Sequence, residues 1–105
     1  MIEIKPDANN RQKQITPETG IILTAHENGQ NTGSAEMQIE NGNYYLIALD
    51  YHDDPTGELL LRACASYAER RGFKIISARL PQTPLMTKVG FTDGELDVSK
   101  VVHYG

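Results

Sequence analysis

The stretch that most restricts the fold runs from Tyr44 to Leu80. Tyr44 to Tyr51 (YYLIALDY) is a nearly continuous apolar run, the pattern of a central strand covered on both faces. Just beyond it, Asp54 can cap a helix and Pro55 can take the first helical position, where a missing N–H costs nothing. Leu60, Ala63, Cys64, Tyr67 and Ala68 then recur at the i, i+3, i+4 spacing of one buried stripe, with Glu58, Arg62, Glu69 and Arg70 off it. Gly72 stands where a left-handed C-terminal cap belongs, and Lys74 to Leu80 (KIISARL) reads as the next strand. A helix of about 16 residues between two strands is a crossover, so the two strands are predicted to be parallel neighbours in one sheet.

The flanking residues supply antiparallel strands. Ile2 and Ile4 alternate with polar neighbours, and Gly20 to His26 (GIILTAH) is richer in β-branched residues. Glu27 to Asn31 carries turn chemistry, and Ser34 to Glu40 turns Ala35, Met37 and Ile39 to one side. Asn41-Gly42 is the strongest hairpin signal in the chain. After the crossover, Leu85 to Val89 forms a short helix with Pro84 at its start and Gly90 at its stop, and Val98 to Tyr104 a last strand. Pro6 to Thr19 (PDANNRQKQITPET) has weak periodicity and two prolines, which suits a loop or a short frayed helix. With 105 residues the order β-β-β-β-α-β-(α)-β makes one α+β domain, residues 1–105, with a mixed, mainly antiparallel sheet and one main crossover helix.

Composition removes several function classes. The net charge is −4, and the only basic cluster, Arg70-Arg71 with Lys74, sits where it favours a helix C-terminus, so nucleic acid is not an expected partner. No apolar run approaches membrane length and no leader segment is visible, so no membrane role is expected. The single cysteine, Cys64, precludes an internal disulfide and fits a reducing, cytoplasmic setting; on the apolar helix face it reads as a buried, inert thiol. His26, His52 and His103 have no metal-ligand spacing. Asp50 and His52 end the central strand two residues apart, so they can share a face as a base pair, and Glu36 on the neighbouring strand is another candidate base.

The ordered set of signals from Tyr44 to Phe91 resembles the Gcn5-related N-acetyltransferase (GNAT) family. There a strand leads to a Q/R-x-x-G-x-G/A loop, a helix opening with a Leu pair, A-x-x-x-G, another strand, and a short helix closing in Y-x-x-x-G-F. Here the run is His52-Asp53-Asp54-Pro55-Thr56-Gly57, Leu60-Leu61, Ala68 with Gly72, then Met86 and Lys88-Val89-Gly90-Phe91. The short first half is similar to reduced members lacking the usual first two helices. The resemblance implies an acetyl-CoA-dependent N-acetyltransferase acting on a small-molecule or protein amine. It also implies that the central strands part toward their C-terminal ends, and that Ile47, His52, Asp53, Asp54, Thr56 and Gly57 contact the cofactor.

Departures from the pattern bear on that function. The family's loop presents backbone N–H groups and a helix dipole to a pyrophosphate. Here His52, only partly charged near neutral pH as a histidine, replaces Gln or Arg. Pro55 replaces the first Gly and removes a donor, and a lost charge-assisted hydrogen bond costs about 1.5–3 kcal/mol. Asp53 and Asp54 add negative charge, and Asp53-Asp54-Pro55-Thr56-Gly57 also reads as a plain N-cap turn. Met86 occupies the position of the Tyr that protonates the departing thiolate, and Met has no proton to give. Two functions therefore compete: an acyl-CoA N-acyltransferase of weak activity or none, and a non-catalytic GNAT-derived binding or regulatory module.

Overall fold

Two Asn-Gly turns fix the register of the first half of the sheet. Asn28 and Gly29 (φ 56° and 80°) and Asn41 and Gly42 (φ 52° and 77°) take the left-handed pair that a two-residue hairpin demands. They join β2 (Gly20–Glu27), β3 (Gln30–Glu40) and β4 (Asn43–Tyr51) into an antiparallel meander. The first turn is tighter than the Glu27–Asn31 stretch expected, so β3 begins at Gln30 rather than Ser34.

The computed structural model describes residues 1–6 and 20–101. β1 (Ile2–Pro6) pairs antiparallel with β2. The expected loop or short helix from Pro6 to Thr19 lies outside the described residues, apart from Pro6 itself, which belongs to β1; so does the expected lack of two helices there. After β4 come α1 (Asp54–Arg70), β5 (Ile75–Ala78), α2 (Pro84–Val89) and β6 (Glu95–Asp97). Strand order in the sheet is the order in the chain, β1 to β6. β4 and β5 are parallel, as the crossover requires, and every other pair is antiparallel. Gly72 has φ 86° just past α1, and α2 starts at Pro84 and stops at Gly90. No helix among the described residues is long and apolar enough to cross a membrane.

Three expectations need correction. The helix cap is Asp53, not Asp54, because the Asp53 side chain reaches the Thr56 N–H. Among the described residues the last strand is Glu95–Asp97, and Val98–Lys100, where the expected Val98–Tyr104 strand would begin, is not extended. Asp93 and Gly94 (φ 51° and 79°) turn the chain early, and the Asp97 carboxylate takes the Ser99 N–H at 3.0 Å, winding Val98–Lys100 into a 3₁₀ turn. Residues 102–105, including His103, lie outside the described residues. Finally, β4 is covered on one face only. Tyr44 and Leu46 are buried, while Ala48 and Asp50 are exposed on the other side.

One core holds the molecule together. Leu60, Leu61, Cys64 and Ala68 of α1 and Leu85, Met86 and Val89 of α2 cluster with Leu23, Ala35, Met37, Leu46 and Ile76 of the sheet. Leu60 sits over Gly33 of β3, where an added Cβ would lie 3.0 Å from the leucine Cδ1. Tyr67 is half-buried against the same cluster. Tyr44 meets Phe73 edge to face, ring centroids 4.9 Å apart, and burial pushes its hydroxyl up to about 12.

Candidate functional site

The sheet opens beside β4. β5 follows it only over Tyr44–Ile76, Tyr45–Ser77 and Leu46–Ala78. The last bond across the seam runs from the Arg79 N–H to the Leu46 carbonyl at 2.9 Å. β4 continues to Tyr51, and among the described residues no strand pairs with it on that side beyond Leu46. At the same point its pairing with β3 jumps from Met37–Leu46 to Glu36–Ala48, which leaves Ile47 as a bulge. A bulge bends its strand and aims it away from the neighbour, so the bulge and the parting are one feature.

The open edge leads into the N-terminus of α1. His52 is exposed and its N–H donates to the Thr32 carbonyl at 3.0 Å. Asp53, in extended backbone (φ −146°, ψ 162°), caps the helix: its Oδ1 accepts the Thr56 N–H at 3.0 Å. Hydrogen bonds from the Thr56 side chain and then its backbone hold the Asp53 carboxyl below its ordinary value. The Asp53 carbonyl accepts the Gly57 N–H at 3.1 Å. Asp54 and Pro55 are exposed, whereas Thr56 and Gly57 are buried.

Gly57 faces inward. A Cβ there would fall 2.6 Å from Leu85 Cδ2 and 2.9 Å from the Tyr51 ring, so the glycine is required by the junction of β4, α1 and α2. Glu58, next along, holds Lys88 of α2 at 3.2 Å and Arg62 at 3.5 Å. Lys88 is the main cause that lowers the Glu58 carboxyl.

The candidate cofactor residues thus divide. Ile47 marks the bulge, and His52, Asp53, Asp54, Thr56 and Gly57 form one continuous turn at the end of the same strand. Asp50 is exposed at that end too, paired across with Ser34, and Glu36 is half-buried opposite Ala48. Met86 is fully buried and belongs to the core. Cys64 is likewise buried, which pushes its thiol up to about 12 and removes it as a nucleophile. His26 Nε2 lies 2.9 Å from Thr24 Oγ1. Among the described residues no three His, Cys, Asp or Glu side chains gather as a metal site.

Sequence reasoning missed one group at the opening. The Arg79 guanidinium lies 3.8 Å over the Tyr45 ring and 2.9 Å from Glu40 Oε2. The pair spans 39 positions, and no local pattern announces it. A separate depression of about 410 Å³ lies between Ile75, Gly90 and the carboxylates of Asp93, Glu95 and Asp97, and contains none of these residues.

An acetyl-CoA molecule asks two things of such a site, and the residues answer them differently. The free edge of β4 suits an extended arm with amide groups. The α1 N-terminus does not suit a diphosphate, since Asp53 takes the Thr56 and Gly57 N–H groups and Pro55 lacks one.

No protein-family model and no curated protein matches the sequence. Among solved structures, an N-acetyltransferase from Staphylococcus aureus Mu50 is similar, with a TM-score of 0.59 and 14% sequence identity over 74% of this chain and 70% of that one. At that identity the likeness is one of fold, and the mixed sheet with its single main crossover helix is N-acetyltransferase-like.

Proposed function

We propose that the chain is a GNAT-type acyl-CoA N-acyltransferase of weak activity, holding its acyl donor along the free edge of β4. The observation that carries this reading is the parting of β4 from β5 after Leu46, with the bulge at Ile47. Backbone groups of residues 47–51 would pair with the amides of the donor's arm. Asp50, exposed at the end of that edge, would take a proton from an attacking amine. Met86 gives no proton to a leaving thiolate, which leaves that role to water. The acceptor is an amine on a small molecule or a protein, and cytoplasmic placement goes with this reading.

NMR-monitored titration with acetyl-CoA tests the site. Backbone amides of residues 47–50 should shift, with affinity weaker than micromolar, and release of free thiol should follow when an amine is added. Amides of β4 that stay still at millimolar acetyl-CoA would remove the acyl-donor reading. A second reading, a non-catalytic GNAT-derived binding or regulatory module, is favoured by the Asp53 cap and the buried Met86. It predicts the same shifts, or shifts with another ligand, and no thiol release with any amine.

A further inference from the structure

We infer that the donor is recognised through its pantetheine arm alone, so that the nucleotide of a coenzyme A thioester contributes nothing to binding. This rests on the acyl-donor reading above and narrows it to the acyl-pantetheine class. A helix N-terminus binds phosphate by offering N–H groups that have no other partner. In α1 the Thr56 N–H is taken by the Asp53 carboxylate at 3.0 Å and the Gly57 N–H by the Asp53 carbonyl at 3.1 Å. Pro55 has no N–H at all. The Asp54 N–H remains, flanked by the carboxylates of Asp53 and Asp54. The chain's own Asp53 thus stands where the anion would stand.

Neither glycine approach nor counter-charge makes up the deficit. The Cα of Gly57 is packed against Tyr51 and Leu85, so no phosphate can approach on that side. The cations of the neighbouring turns, Arg62 and Lys88, are both engaged by Glu58, and exposed His52 acts on the Asp53 carboxylate beside it. The strand edge, in contrast, is intact. Ile47 to Tyr51 covers about 13 Å at the usual strand rise, the reach of an extended arm with two amide groups.

The test compares three probes on the unmodified protein by NMR: acetyl-pantetheine, acetyl-CoA and adenosine 3′,5′-diphosphate. The two thioesters should bind within about threefold of each other. Both should shift residues 47–50, both should be insensitive to added salt, and the bare nucleotide should leave residues 52–57 unmoved. An advantage of about tenfold or more for acetyl-CoA, or one that fades with salt, would overturn the inference and leave the acyl-donor reading standing. Failure of both thioesters to bind would instead remove the acyl-donor reading and this inference with it. The double change Asp53→Gly with Pro55→Gly should create a preference for acetyl-CoA that salt weakens. Variant protein that is folded by circular dichroism and still binds the two thioesters alike would count against Asp53 and Pro55 as the cause.

Discussion

Gly57 shows how one residue type can satisfy two different demands. In the family pattern a glycine at this position lets phosphate approach the backbone. Here the space its missing Cβ leaves is taken by Tyr51 and Leu85. Gly57→Ala should therefore cost about 1–3 kcal/mol by overpacking, measured by urea denaturation. In a Leu85→Ala background the same change should cost less, because the nearest contact, 2.6 Å away, is gone. Strictly additive losses would mean that Leu85 is not what confines the glycine. The sequence shows that a glycine stands at position 57, but the direction its Cα faces is a tertiary fact that only packing decides.

Among the elements, α1 was the most legible, because its stripe is a local, periodic signal. Leu60 and Tyr67 were expected to lie under the sheet, and Leu60 is fully buried there. Leu60→Ala should cost about 2–5 kcal/mol in chemical denaturation, and a change within error would contradict its place over Gly33. The cap was less legible, since Asp53 and Asp54 are alike in chemistry and only backbone conformation chooses between them. The Asp53 carboxyl is held below its ordinary value near 3.8, so its contribution to stability is present above the unfolded value and disappears as pH falls through the folded one. The stability gap between the wild type and Asp53→Ala should thus be widest at neutral pH and close below about pH 4. Urea midpoints measured across that range decide it, and a gap independent of pH would separate the cap from the charge. The reading of β4 failed for a different reason. Tyr44 and Leu46 alternate inward, Ile47 is the bulge, and Leu49 and Tyr51 resume inward one position out of phase. Two alternating patterns joined out of phase look, in a linear sequence, like one continuous apolar run.

At the scale of the whole molecule, fold and site differ in what the sequence discloses. The crossover, the Asn41-Gly42 hairpin and the acyltransferase-like order of elements follow from neighbours in the chain. The Arg79 cluster, the exposure of Ala48 and Asp50 on one face of β4 and the filling of the α1 N-terminus depend on residues brought together from afar or on cap geometry. The strand order carries a further consequence. Every strand lies beside its chain neighbours, but the connections differ: two residues between β2 and β3 and two between β3 and β4, against the whole of α1 between β4 and β5. Closing a long loop costs more entropy than closing a tight hairpin, so the β2–β3–β4 meander can assemble before the crossover docks. Opening should run in reverse. In native-state hydrogen exchange, amides of β3, paired on both sides through short turns, should be the last to exchange, and those of β5 and β6 should exchange through a smaller opening. Equal protection across all six strands would show that the sheet opens as one unit.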